Sequence, residues 1–391
     1  MDDDAFHGPC ADSALGEALL NALPLVALAG FAAEVAHCRF LCNETLEIRD
    51  AGAIAWVLRA AADAQCGTLA ARKAALAELR DPDVAPARAV ALLRTHPAVV
   101  AVAAAAARAL AKADITEASA AAGAAAALVA AARAAASAEN AHATGAFSYA
   151  ASNVARAMAT NVSMTELLAC GAAPALVALA DEAVIKSSAD AAQNVARALA
   201  YLSIRKNGRE KLLACGAAPA LIALAGEGVA KGSADVAAWV ARAIFFLGIS
   251  ADGQAMLLAC GAAPVLVALA GEGVVKGSAD AAQWVAQAMA RISDSADGQA
   301  KLLACGAAPA LVALAGEGVV KGSGGTAKYV AWAMGNLGIS ADGQAKLLAC
   351  SAAPALVALA GEGVVKDSAD AARQVARAMA RLGLSADGQA E

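Results

Sequence analysis

Aromatic residues are scarce in this chain of 391 residues, at 3 % of the composition, although 60 % of the residues are hydrophobic. Alanine makes up most of that hydrophobic share. Because alanine is small and the strongest helix former, the composition predicts thin, closely packed helices and no bulky central core. Basic residues are not in excess either, since 30 Lys and Arg stand against 35 Asp and Glu. A nucleic-acid partner usually requires a strongly basic face, so none is predicted.

Long, strongly apolar runs are also missing. The longest runs, Ala120–Ala132 and Pro97–Ala107, consist mostly of alanine and are each followed by an arginine. They fall short of the roughly 20 strongly apolar residues needed to cross a bilayer, so no membrane span is predicted. The first ten residues, MDDDAFHGPC, lack the basic flank and the apolar segment of a signal peptide. We therefore expect a cytoplasmic protein, with the nucleus as the alternative location.

Sequence signatures of catalysis and of metal binding are absent too. The sequence contains no Gly-x-Ser-x-Gly elbow, no His-Glu-x-x-His motif and no pair of catalytic carboxylates. His37, Cys38 and Cys42 are close in sequence, but no second cluster completes the four ligands of a zinc site. The chain is therefore predicted not to be an enzyme and to hold no cofactor or metal.

The dominant feature is a repeat that is most easily followed by the cysteine of an Ala-Cys-Gly or Ala-Cys-Ser tripeptide. This cysteine recurs every 45 residues, at Cys170, Cys215, Cys260, Cys305 and Cys350. A fixed period of this length indicates a solenoid of two- or three-helix units. Stacked units lie about 8–10 Å apart, which is beyond the reach of a disulfide. The thiols are therefore predicted to be small buried fillers in a reducing compartment.

Residues 1–160 are interpreted as irregular, degenerate copies of the unit, residues 161–384 as the regular array, and residues 385–391 as the start of a truncated repeat. In one regular unit the first helix is predicted to run from near Asp252 to Ala259, with Ser250 or Asp252 as its N-cap and Asp252-Gly253 in a turn just before it. Pro264 suits the first position of a second helix, Pro264–Ala270. That helix is apolar on every side, so it is predicted to be buried all round.

The third helix is predicted to be capped by Ser278 and to carry two stripes of side chains. Val285, Met289 and Ile292 recur at helical spacing and predict an apolar stripe against the neighbouring unit. A second stripe varies between units and should align into a ladder along the stack, which makes it the candidate partner-binding groove. Its members are Arg156, Asn194, Arg197, Tyr201, Trp239, Arg242, Phe246, Trp284, Gln287, Arg291, Tyr329, Trp332, Asn336, Arg377 and Arg381.

Three segments resemble the armadillo repeat: GAAPALVALA, its degenerate form DAGAIAWVLRA, and AWAMGNL at residues 331–337. The resemblance covers roughly residues 40–384. It implies an all-α, right-handed armadillo-like solenoid, a superhelix of three-helix repeats. In that family the third helices line a concave groove, where a Trp and an Asn hold an extended peptide of a partner protein. Only Trp332 and Asn336 match that pair, and neither a basic importin-binding arm nor a U-box precedes the repeats.

Two interpretations of the ladder follow from the residues. The arginines either bind carboxylates or phosphates of a partner, or form a solvated face paired with nearby acids. The tryptophans are either binding platforms or packing residues between the third helices. We predict a protein-protein interaction scaffold that binds an extended acidic or phosphorylated partner segment along the concave face.

The alternative function is that of a structural cytoskeletal or axonemal array component held by its ends. A HEAT-like chromophore lyase and an importin-like transport adaptor rank below it. The apolar stripe of the last repeat, Val375, Met379 and Leu382, has no following unit to pack against. This stripe predicts either a homodimer through the open C-terminal end or a truncated gene product.

Overall fold

The computed structural model describes residues 89–92, 106, 110, 124–132, 158, 164–180, 189–230, 232–271, 278–316, 324–361 and 368–383. The chain divides into two compact units, Met1–Cys170 and Gly171–Glu391. The described residues of the first unit are helical up to α1 (Met164–Ala169), and no strand occurs among the described residues of either unit. Most of residues 1–160 and all of residues 385–391 lie outside the described residues, so the predicted domain boundaries stay predictions.

The second unit consists of repeats of three helices, apart from its first two helices, α2 (Ala172–Leu179) and α3 (Ala189–Ser203). Its third helices pack side by side in chain order, and each second helix packs against its own third helix. The predicted all-α solenoid of three-helix repeats is therefore confirmed. The four complete repeats are α4 (Lys206–Ala214), α5 (Ala217–Ala230) and α6 (Ala234–Leu247); α7 (Ala251–Ala259), α8 (Ala262–Leu269) and α9 (Ala279–Ile292); α10 (Ala296–Ala304), α11 (Ala307–Leu314) and α12 (Gly324–Leu337); and α13 (Ala341–Ala349), α14 (Ala352–Leu359) and α15 (Ala369–Gly383).

The start of the first helix differs from the prediction that Asp252-Gly253 forms a turn before it. Ser250 caps α7, and its Oγ accepts a hydrogen bond from the N–H of Gly253 at 3.1 Å, so Gly253 lies inside the first turn. A Cβ atom at Gly253 would come within 2.0 Å of the carbonyl oxygen of Leu247, the last residue of α6. Glycine is required here because the backbones of two consecutive helices approach closely.

The second helices are buried on one side only, so the prediction that they are buried all round is wrong. Leu266 and Leu269 of α8 are fully buried, whereas Pro264 and Ala268 are exposed. The helix also begins earlier than predicted, at Ala262 after Gly261 in the left-handed conformation, which makes Pro264 its third residue. A helix that is apolar on every side can still face solvent, because singly exposed small apolar residues are common on protein surfaces.

The third helices are fixed by their serine caps and by the apolar stripe, both as predicted. The Oγ of Ser278 accepts a hydrogen bond from the N–H of Ala281 at 3.2 Å at the start of α9. Val285, Met289 and Ile292 are fully buried, as are their counterparts on α6 and α12. Burial of each large apolar side chain contributes about 1.5–3 kcal/mol. The stripe therefore forms a continuous hydrophobic spine between the repeats.

The repeat cysteines are free thiols that follow the first helices. They are half-buried and not fully buried, so the prediction of buried fillers is wrong in this respect. Partial exposure follows from their place, because each lies at the end of a short helix where the chain turns. The residues concerned are Cys170, Cys215, Cys260, Cys305 and Cys350.

Candidate functional site

The predicted groove residues lie on the third helices, at positions three or four residues apart. Arg156 lies outside the described residues, while Arg377 on α15 is exposed. Two members are buried, Gln287 with 4 % and Asn336 with 5 % of their surface exposed, so they support the surface and do not form it. The others keep part of their surface open to solvent: Asn194, Arg197, Tyr201, Trp239, Arg242, Phe246, Trp284, Arg291, Tyr329, Trp332 and Arg381. We call this partly open side of α3, α6, α9, α12 and α15 the third-helix face.

Guanidinium groups and indole rings alternate along the first half of the third-helix face. The Cζ atom of Arg197 lies 5.4 Å from the ring centroid of Trp239. The Cζ atom of Arg242 lies 5.2 Å from Trp239 and 4.8 Å from Trp284, so this side chain is stacked between rings of two successive repeats. A cation–π contact contributes about 0.5–1 kcal/mol at an exposed site and more when desolvated. These contacts therefore hold the guanidinium of Arg242 between two indole rings.

The same alternation continues around Arg291, with different aromatic partners. Its Cζ atom lies 5.2 Å from the ring of Phe245 and 5.3 Å from that of Trp332. Unlike Arg242, Arg291 forms an ion pair, with its Nη1 atom 2.9 Å from Oδ2 of Asp294. Phe245 and Phe246 both lie 6.2 Å from Trp284 between ring centroids, which joins the two halves of the ladder.

The buried amide of Asn336 connects three repeats. Its Nδ2 atom donates hydrogen bonds to Oδ1 of Asp294 at 2.9 Å and to Oγ of Ser293 at 3.3 Å, both just after α9. Its Oδ1 atom accepts a hydrogen bond from Arg381 on α15 at 3.2 Å. The side chain to which the armadillo resemblance assigned a peptide contact is thus engaged inside the protein.

Arginines without an ion-pair partner among the described residues lie at both ends of the third-helix face, with Arg197 and Arg242 on α3 and α6 and with Arg377 and Arg381 on α15. Arg197 and Arg242 have no carboxylate within ion-pair distance in the described part of the chain, whereas Arg291 pairs with Asp294 and Lys328 lies 3.0 Å from Asp370. Burial lowers the pKa of Arg242 from its ordinary value, and the charge of Arg197 lowers it further, while Asp280 opposes both effects. The Nε atom of Arg242 is buried without a hydrogen-bond partner. An anion beside Arg242 would relieve this desolvation and repulsion.

Sequence reasoning missed several residues that shape this surface. Phe245 stands where the other repeats have Ala200, Ala290 and Gly335, and Asp294 stands where they have isoleucine or leucine. Lys328 and Asp370 link α12 to α15 and were not recognised either. The available signal was departure from the repeat consensus, since Phe245 replaces a residue that is small in the other repeats and Asp294 replaces one that is isoleucine or leucine.

No group of three or more His, Cys, Asp or Glu that could hold a metal ion occurs among the described residues. No single described helix is long and apolar enough to cross a membrane. Helices α7 and α8 are long and apolar enough only when taken together, and they are bent by 80° relative to each other.

Comparisons with known proteins address the fold. No family model and no curated protein matches the sequence. One engineered protein of known structure has a TM-score of 0.51 and 19 % identity, covering 67 % of this chain and 99 % of its own. Another has a TM-score of 0.50 and 16 % identity, covering 68 % and 97 %. A designed armadillo repeat protein aligns at a TM-score of 0.49 and 20 % identity, covering 63 % and 97 %.

Sequence identities of 20 % or less are evidence of a similar fold and of nothing more. Among the described residues of the second unit, each complete repeat shows three helices in a constant order, and the third helices are stacked on one another. This arrangement is that of an armadillo-like repeat fold, and the two engineered proteins are similar to this chain in fold.

Proposed function

We propose that the chain is a protein-interaction scaffold whose third-helix face binds an extended acidic segment of a partner protein. One observation carries the proposal: Arg197 and Arg242 are stacked on indole rings and have no acidic partner in the described part of the chain. A guanidinium beside aromatic rings keeps its N–H donors, which match a carboxylate or phosphate in a bidentate arrangement. Stacking also orders the side chain in advance, which reduces the entropy lost on binding.

The alternative, a solvated arginine face neutralised by neighbouring acids, describes other parts of the molecule better. Arg373 pairs with Asp370, and Arg291 pairs with Asp294. Arg197 and Arg242 differ from both, and their contacts are with rings. Trp239 and Trp284 are suited both to packing between repeats and to serving as binding platforms, because they lie between repeats and remain partly exposed.

The ligand chemistry expected at this surface is that of a carboxylate or a phosphorylated side chain. A phosphorylated residue carries about −1.5 to −2 charges near neutral pH, whereas a carboxylate carries one. We therefore expect a phosphorylated segment to bind more tightly than its unmodified counterpart. Binding should weaken as salt is added, because the arginines remain partly exposed to solvent.

Charge reversal tests the proposal. The double variant Arg197→Glu and Arg242→Glu should lose binding of an acidic peptide, measured by fluorescence anisotropy. Lys206→Glu combined with Lys301→Glu is the matched control, because it changes the net charge equally and both lysines lie on first helices, 84 % and 44 % exposed. Circular dichroism and thermal denaturation verify that the variants are folded. Unchanged binding by a folded double variant would rule out this surface as the binding site.

A self-association site is proposed at the last repeat. Val357 on α14 is 58 % exposed and Met379 on α15 is 38 % exposed, whereas Met289 and Met334, which are equivalent to Met379, are fully buried by the next third helix. Exposed apolar side chains of this kind favour an interface. Sedimentation at several concentrations should show a dimer that Met379→Lys removes, and a concentration-independent monomer would contradict the proposal.

A further inference from the structure

Two arginines of the third-helix face are stacked between rings in the same way, but only one of them has a carboxylate. Arg291 lies between Phe245 and Trp332, at 5.2 and 5.3 Å, and its Nη1 atom is 2.9 Å from Asp294. Arg242 lies between Trp239 and Trp284, at 5.2 and 4.8 Å, with no ion-pair partner among the described residues. The protein therefore contains one filled and one open example of an arginine between two rings, at different positions of the repeat, because Gln287 is the equivalent of Arg242 and Phe246 that of Arg291.

We propose that Arg242 is the open position for a carboxylate of the partner, and that Asp294 is an internal carboxylate that fills the matching position at Arg291. This inference rests on the proposed function, because it assigns the contact within the same surface. It specifies a glutamate or aspartate side chain of the extended partner segment as the ligand at Arg242. It also closes Arg291 to the partner.

Asp294 is held too firmly to act as a loose surface acid. Its Oδ2 atom meets Arg291 at 2.9 Å, while its Oδ1 atom accepts a hydrogen bond from the buried Asn336, also at 2.9 Å. Asn336 is in turn fixed by Arg381. A partner carboxylate would have to break two charge-assisted hydrogen bonds to displace Asp294, each stronger than an ordinary one.

The acid is also specific to one repeat. The positions equivalent to Asp294 hold Ile204, Ile249 and Ile339, so no such carboxylate follows the other third helices. Ile249 follows α6, the helix that carries Arg242, and is 45 % exposed. Arg242 is not the repeat equivalent of Arg291, since that position holds Phe246 on α6, and the residue three places after Arg242 is Phe245. No acid therefore follows Arg242 at the spacing of Asp294, and a partner supplies the missing charge.

The test uses the full chain and a fluorescein-labelled octapeptide of glutamate, with the glutamine octapeptide as the neutral control. Arg242→Gln should weaken glutamate-peptide binding at least about tenfold, the effect of losing a charged hydrogen-bond partner. Arg291→Gln should weaken binding less than Arg242→Gln does, because Arg291 is already occupied and its loss acts only through the uncompensated charge of Asp294. Asp294→Asn should strengthen binding, since it frees Arg291 for a second carboxylate. Thermal denaturation verifies that each variant is folded.

The outcomes separate this inference from the proposed function. If the wild-type chain does not bind the glutamate peptide, both fail. If it binds, and Arg291→Gln weakens binding while Arg242→Gln does not, an acidic partner stands and the assignment to Arg242 is overturned. No gain from Asp294→Asn overturns the role of Asp294. Should Arg242→Gln unfold the chain, Arg242→Lys replaces it; it keeps the charge but loses the planar fork, and weaker binding is again the supporting result.

Discussion

Replacement of Gly298 by alanine should destabilise the second unit by about 2 kcal/mol. Gly298 lies in the first turn of α10, where a Cβ atom would come within 1.9 Å of the carbonyl oxygen of Ile292 at the end of α9. Overpacking typically costs about 1–3 kcal/mol, and a clash with backbone belongs at the upper end because backbone cannot move aside as a side chain can. Alanine recovers about 1 kcal/mol through its higher helix propensity, which leaves the net loss stated.

Gly226 provides a matched control for this prediction. It is an exposed glycine inside α5, and a Cβ atom built there meets nothing within 4 Å. Gly226→Ala should therefore raise the stability by about 0.5–1 kcal/mol through helix propensity alone. Urea denaturation followed by far-UV circular dichroism measures both variants against the wild type. If Gly298→Ala were as stable as the wild type, the argument from close backbone approach would be refuted.

Four further predictions concern caps, turns and the links between repeats. Ser351 has a φ of 62° at a turn where the other repeats carry glycine, so Ser351→Gly should raise stability to urea by about 1 kcal/mol; a loss would contradict this. Ser278→Ala should lower the stability to urea by about 1 kcal/mol, because the N-terminal cap of α9 is lost. Asn336→Leu should cost about 1–3 kcal/mol in the same assay, because buried partners lose their hydrogen bonds; a neutral effect would mean that the network contributes nothing. The hydrogen bond and charge of Lys328 lower the pKa of Asp370, so its stabilisation is present above the ordinary value of about 3.9 and is lost as pH falls through the lower folded pKa. Melting temperatures of wild type and Asp370→Asn should therefore converge in acid, and a constant difference would exclude this link.

The sequence was sufficient to locate much of the candidate site, but it did not show which of the arginines form ion pairs. The positions of Arg197, Trp239 and Arg242 on one face follow from helical spacing within each repeat, and the structure places them on adjacent third helices. Which arginine is paired and which is open depends on Asp294, a single departure from the consensus. The binding role of this face and the domain boundaries stay predictions.

The sequence by itself determined the 45-residue period, the order of three helices, the serine caps and the fully buried stripe through Val285, because these depend on local hydrogen bonding and on helical periodicity. Only the tertiary structure decided the one-sided burial of the second helices, the need for glycine at Gly253, and the burial of Asn336. Each of these depends on atoms of another helix. Asn336, for example, meets Ser293, Asp294 and Arg381 across separations of 43, 42 and 45 residues, and no pattern within one helix specifies such neighbours.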